Sequence, residues 1–202
     1  MNEQPEQNLP PQQPIKKSAP WSAATIVGLS IVVVALVGSQ TTRERDLAYS
    51  EDFSTFLVSE LLPKLRADYH AGATPDRTVV TGSSLGGLCS MFTALHHADA
   101  IGNVLSQSGS YQFRKGEIGG DLLEFSEGNT LLPDAINTAK QPLKIYMDAG
   151  TFELGLLDAN RRMRDVLIAK GYPVTYQEFS GGHDYWLWRG TISDGLVALL
   201  NR

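Results

Sequence analysis

The stretch Gly82-Ser83-Ser84-Leu85-Gly86-Gly87 constrains this chain more than any other, because it sits between a short β-branched run, Thr78 to Thr81, and an apolar helical pattern, Leu85 to His96. A G-x-S-x-G sequence in that position is a sharp strand-to-helix turn that holds its central serine at strained backbone angles. The glycines stand where side chains would collide with the neighbouring strand and helix. An exposed Ser84 hydroxyl beside a helix N-terminus is the consequence, with the backbone N–H of Leu85 free to donate to an oxyanion. Ser83 fits no such pattern.

The rest of the chain repeats the strand-helix alternation. Ser50 caps a helix whose first turn carries Glu51 and Asp52 and whose apolar face is Phe53, Phe56, Leu57, Leu61 and Leu65, with a kink at Pro63 near its end. Further strands are expected at Asn103 to Ser106, Leu143 to Met147 and Val174 to Phe179. Helices are expected at Asn160 to Lys170, stopped by Gly171 and Pro173, and from a cap at Ser193 through Leu200; Gly109 to Asp134 has the aperiodic look of a long excursion. This alternation predicts an α/β fold with a mainly parallel sheet flanked by helices.

The N-terminal region divides differently. Residues 1–20 are rich in Gln, Pro, Asn and Glu and read as a disordered polar tail. Residues 21–30 are an apolar lead-in, and 31–202 form the domain. From Trp21 to Gly38 there is no charge, so one reading is a membrane span anchoring the domain outside the cytoplasm, since ~18 apolar residues is near the minimum for crossing the hydrocarbon and Lys16-Lys17 would stay inside. The other takes Ile31 to Val37 as a strand buried on both faces, with the chain in the cytoplasm. The strand reading agrees better with the elements that follow.

Seventeen basic and twenty-two acidic residues are spread without a basic run, which excludes nucleic acid as a partner. Cys89 is the only cysteine; it cannot form an internal disulfide and reads as a core residue, and no Cys/His cluster has the spacing of a metal site.

A serine hydroxyl is a poor nucleophile at neutral pH and needs a base of pKa near 7 that can later protonate the leaving alcohol. Of the four histidines, His183 occupies the Gly181-Gly182-His183-Asp184 loop directly after the last expected strand, the place that a Ser, acid, His chain order requires. His96 and His97 end a helix and His70 precedes a turn, which are structural settings. The carboxylate that would hold the imidazole tautomer is sought just past the preceding strand. Glu153 is favoured, three residues after Gly150; Asp148 is the alternative. Asp158 suits a helix start, and Asp184 a structural place.

Together, Arg43 to Leu47 followed by Phe53, Glu60-Leu61-Leu62-Pro63, Gly82 to Leu88, Leu105 to Ser110, Ala149-Gly150 with Glu153, and Gly181 to Asp184 with Trp188-Arg189 resemble the enterochelin (siderophore) esterases, a branch of the esterase D-like α/β-hydrolases. The resemblance runs from about Val33 to the C-terminus. It implies a serine carboxylic-ester hydrolase that works through an acyl-enzyme without a cofactor. Its substrate would be a small-molecule ester, a ferric catecholate siderophore among the candidates, and any iron would arrive on that substrate. It also implies Ser84 as nucleophile, His183 as base and Glu153 as acid. A binding role is implied for the Ser106 to Ser110 stretch, with Ser108 as its candidate; Trp186, Trp188 and Arg189 are candidates for contact with an aromatic, anionic substrate, with packing the commoner role of the tryptophans.

Family members have further strands before the one matched at Ile31 to Val37, and a loop there supplies a second oxyanion N–H. The expectation is therefore an α/β-hydrolase lacking its N-terminal strands, with an exposed sheet edge open to a partner chain. Two other readings accompany hydrolysis: a non-catalytic remnant of such an esterase, and an acyltransferase on the same scaffold.

Overall fold

The computed structural model describes residues 32–35, 42–116 and 129–200. The expected tail at 1–20, the lead-in at 21–30 and most of the uncharged stretch to Gly38 lie outside the described residues, apart from one strand, β1 (Val32–Ala35). No helix among the described residues is long and apolar enough to cross a membrane.

Chain order after β1 is α1 (Arg43–Leu47), α2 (Glu51–Phe56), α3 (Leu62–Tyr69), β2 (Thr78–Ser83), α4 (Leu85–His96), β3 (Asn103–Gln107), α5 (Leu131–Asn137), β4 (Lys144–Gly150), α6 (Gly155–Ala169), β5 (Val174–Phe179) and α7 (Tyr185–Leu200). The five strands lie side by side in sequence order, and every neighbouring pair is parallel. Parallel neighbours need a crossover, and the intervening helices supply it while covering the sheet faces.

Alternation along the strands divides the core. Val80, Val104, Ile145 and Met147 pack with Leu88, Met91 and Phe92 of α4 and with Met163 and Leu167 of α6. Val79, Leu105 and Tyr146 point the other way, against Leu199 of α7. No residue of β5 is fully buried, as suits a strand at a sheet edge, whereas β3 is buried throughout.

Three helix boundaries differ from the sequence expectation. Between α2 and α3 the chain makes a π-helical turn, Leu57–Leu61, in which the N–H of Leu62 donates to the carbonyl of Leu57. The turn inserts one residue, so the buried row continues from Leu57 to Leu62, and Phe56 is left exposed. The kink expected late in the helix at Pro63 is thus a π turn just before it, at the first turn of α3, where a proline's missing N–H costs little.

The last helix begins at Tyr185, not after a Ser193 cap. Asp184 Oδ1 accepts from the N–H groups of Trp186 at 2.8 Å and Leu187 at 3.0 Å, which caps α7 from the loop itself. α6 likewise starts at Gly155, ahead of the expected Asn160, and the excursion from Gly109 ends in α5, capped by Thr130.

Candidate active site

The carboxyl ends of β2, β3, β4 and β5 all point to one edge of the sheet, and the loops leaving them carry Ser84, Ser108 to Ser110, Glu153 and His183. In parallel α/β sheets this edge is where binding residues gather. Ser84 sits at the β2-to-α4 junction with φ 60° and ψ −123°, outside the ordinary L-residue regions. Two features hold it there. A Cβ on Gly82 would lie 2.5 Å from the backbone carbon of Gly86, so only glycine lets the helix leave the strand so steeply. The Ser84 N–H also donates to the carbonyl of Gln107 at 2.9 Å, while the N–H of Ser110 donates to the carbonyl of Ser84 at 3.1 Å, so the loop after β3 clamps the turn.

The loops after β4 and β5 are pressed together in the same way. Gly150 approaches Gly181 so closely that a Cβ would lie 2.5 Å from the Gly181 carbonyl oxygen, and the Phe152 N–H donates to that oxygen at 3.0 Å. This contact brings Glu153 beside His183. Nε2 of His183 is 2.9 Å from Ser84 Oγ, and its Nδ1 is 3.2 Å from Oε1 of Glu153. Glu153 is therefore the carboxylate that reaches the imidazole.

Asp148, the alternative acid, has no bond to the imidazole. It is fully buried, accepts from the Thr191 hydroxyl at 2.7 Å, and leaves Oδ1 without a partner among the described residues. Burial first, and the nearby Glu153 charge in smaller part, push its carboxyl up to about 6 against the donors Thr191 and Gln107. Asp158 lies exposed in the first turn of α6.

Ser108 is arranged differently from the expectation of substrate contact, and Trp188 packs inward, the commoner role for a tryptophan. Ser108 is fully buried, and its hydroxyl donates to Glu153 Oε1 at 2.7 Å while accepting the indole N–H of Trp188 at 2.9 Å. An indole nitrogen can only donate, so the Ser108 proton is directed to the carboxylate. Trp188 is buried as well. Arg189 and Trp186 are exposed, with the guanidinium 4.5 Å above the indole centroid.

Sequence reasoning missed Thr191 and the structural task of Gln107; the two side chains bond to each other at 2.8 Å, and the Gln107 amide also donates to the Trp188 carbonyl at 2.8 Å. This buried pair ties the first turns of α7 to the end of β3. The polar run at the end of an otherwise apolar strand was the available signal for Gln107; nothing marked Thr191.

A family model described as Putative esterase matches residues 22–199. The chain belongs to this esterase family. Iron(III) enterobactin esterase of Dickeya dadantii is 34% identical over an alignment of 166 residues that covers 79% of this chain and 38% of that protein. An enterobactin esterase structure from Shigella flexneri, solved in the presence of 2,3-dihydroxy-N-benzoyl-serine, superposes with a TM-score of 0.69 at 31% identity, covering 80% of this chain and 41% of that one. The enterochelin esterase structure from Shigella flexneri gives 0.64 at 32%, covering 81% and 40%. The chain thus spans well under half the length of these esterases and has the α/β-hydrolase fold over the part it shares with them.

Proposed function

We propose that this chain is a serine carboxylic-ester hydrolase that forms an acyl-enzyme on Ser84 and acts on a siderophore-type ester. The observation that carries the reading is the run of polar contacts from Ser84 Oγ through His183 to Glu153, 2.9 Å and 3.2 Å long, set at the strained turn before α4.

Each atom has a definite task. Glu153 accepts from His183 Nδ1–H, which leaves Nε2 as the acceptor for the Ser84 proton. As Ser84 Oγ bonds to the ester carbon, that proton passes to Nε2, and the carbonyl π electrons move to the oxygen, facing the N–H of Leu85 at the start of α4. Collapse of the tetrahedral intermediate breaks the ester C–O bond, and His183 gives its proton to the departing alkoxide. Water then repeats the sequence with His183 as base and releases the acid. No step needs a cofactor; iron, where present, belongs to the substrate.

The substrate class rests on the esterase relatives, one of them solved with a dihydroxybenzoyl-serine, and on the exposed Trp186 and Arg189 beside the His183 loop. A flat aromatic anion matches such a pair. Ser108 and Trp188 serve the reading as supports of Glu153 and His183 rather than as substrate contacts.

The test is intact-mass detection of fluorophosphonate labelling on the purified chain beside Ser84→Ala and His183→Ala. One adduct on wild type that vanishes in both variants is the expected outcome. A folded wild type that stays unlabelled would overturn the reading.

A further inference from the structure

The hydroxyl of Ser110 lies 3.2 Å from Ser84 Oγ and makes no other hydrogen bond among the described residues. Ser110 is almost wholly buried, and its position is fixed from three sides. Its own N–H donates to the Ser84 carbonyl at 3.1 Å. The neighbouring carbonyl of Gly109 accepts from Nδ2 of the buried Asn160 at 2.8 Å. Beyond it, the Phe113 N–H donates to the Ser110 carbonyl at 3.0 Å.

Counting protons sets the direction of the contact. Ser84 has one hydroxyl proton, and Nε2 of His183, whose Nδ1–H faces a carboxylate, needs it. Between the two hydroxyls Ser110 is then the donor and Ser84 the acceptor. One lone pair of Ser84 Oγ is engaged by Ser110 and its proton by His183, which leaves the remaining lone pair for the incoming carbonyl carbon.

Resting on the esterase reading above, we propose that Ser110 is a catalytic residue, whose hydroxyl donates to Ser84 Oγ in the free enzyme and turns to the oxyanion, beside the Leu85 N–H, once the tetrahedral intermediate forms. The oxyanion develops two bonds away from Ser84 Oγ; on the side of that oxygen facing Ser110 it lies within reach of this hydroxyl, and rotation about the Ser110 Cβ–Oγ bond redirects the proton to it. The same hydroxyl returns to Ser84 Oγ when that oxygen leaves in the breakdown of the acyl-enzyme. It stabilises charge that exists only during the reaction, so its effect falls on kcat more than on KM.

The experiment compares wild type, Ser84→Ala, Ser110→Ala and Ser110→Cys in fluorophosphonate labelling rate and in steady-state hydrolysis of p-nitrophenyl butyrate. Removing one oxyanion donor in a well-studied protease costs about a hundred- to thousandfold, and a rotating hydroxyl is expected to cost about ten- to a hundredfold in kcat, with KM within about twofold. Ser110→Cys, nearly the same size but a weak donor, is expected to show the same loss and keeps the test open if Ser110→Ala does not fold. A wild type labelled on Ser84 alongside a folded Ser110 variant within twofold of it would overturn the role of Ser110 alone. A folded wild type that is not labelled would overturn the esterase reading and this role with it.

Discussion

The indole of Trp188 stands at 90° to the imidazole of His183, with ring centroids 4.8 Å apart, while its N–H is committed to Ser108. One side chain therefore packs against His183 and, through Ser108, directs a second donor onto Glu153, the carboxylate that contacts the imidazole. The arrangement separates two contributions that mutations can resolve.

Trp188→Phe keeps a ring against His183 and removes the N–H. Ser108 is then free to rotate its proton away from Glu153, and kcat for ester hydrolysis is expected to fall about three- to tenfold, in line with the loss of one buried hydrogen bond. Trp188→Ala also removes the packing and should cost more in stability, about 3 kcal/mol or above. Steady-state kinetics together with urea unfolding checks both numbers.

Glu153→Gln replaces a carboxylate that accepts from His183 and Ser108 by an amide that can donate. An amide N–H turned toward Nδ1 would reverse the imidazole tautomer and place a proton on Nε2, where Ser84 needs an acceptor. The expected loss in kcat is about a hundred- to ten-thousandfold. Asp148→Asn should leave kcat within about tenfold at pH 8, and the contrast between the two variants tests which acid serves the base.

Asp148 also predicts a pH dependence of stability. Its carboxyl is raised from 3.8 to about 6 in the folded chain, so folding takes up a proton between those values. The stabilising effect of that proton is complete below about pH 4 and is lost as pH rises through 6, which leaves a buried charge at neutral pH costing about 3 kcal/mol at most. Asp148→Asn is expected to be more stable than wild type at pH 8 by about 1–3 kcal/mol and nearly equal to it at pH 4. Chemical denaturation at the two values checks the sign.

Gly82→Ala places a methyl group 2.5 Å from the Gly86 backbone carbon, where no flexible side chain can yield. The β2-to-α4 turn must open, with a loss of about 2 kcal/mol or more and a displaced Ser84. Thermal unfolding and fluorophosphonate labelling should decline together. Unchanged labelling in a folded variant would show that Ser84 does not depend on that turn.

Much of this was legible locally. Strand-turn-helix at Gly82 to Gly87 is written in adjacent residues because the steric demand is itself local: β-branched residues favour the strand, glycines permit the sharp exit, and an apolar helix follows. The parallel sheet followed from strand-helix alternation for a similar reason, since hydrophobic period reports which face an element buries. Helix boundaries were less legible. The π turn at Leu57–Leu61 and the Asp184 cap depend on hydrogen bonds that no apolar period records.

By itself, then, the sequence determined the candidates for a site, Ser84, His183 and a carboxylate after β4, and the order of the elements that carry them. Tertiary structure decided the rest. It placed Glu153, not Asp148, beside His183, because the Gly150–Gly181 contact brings one loop across while Asp148 is held under α7 by Thr191. It turned Ser108 inward and brought the Ser110 hydroxyl to Ser84. These are contacts between loops 26 to 99 residues apart in the chain, fixed by strand register and close backbone approach, and neither is encoded in the spacing of the residues that meet.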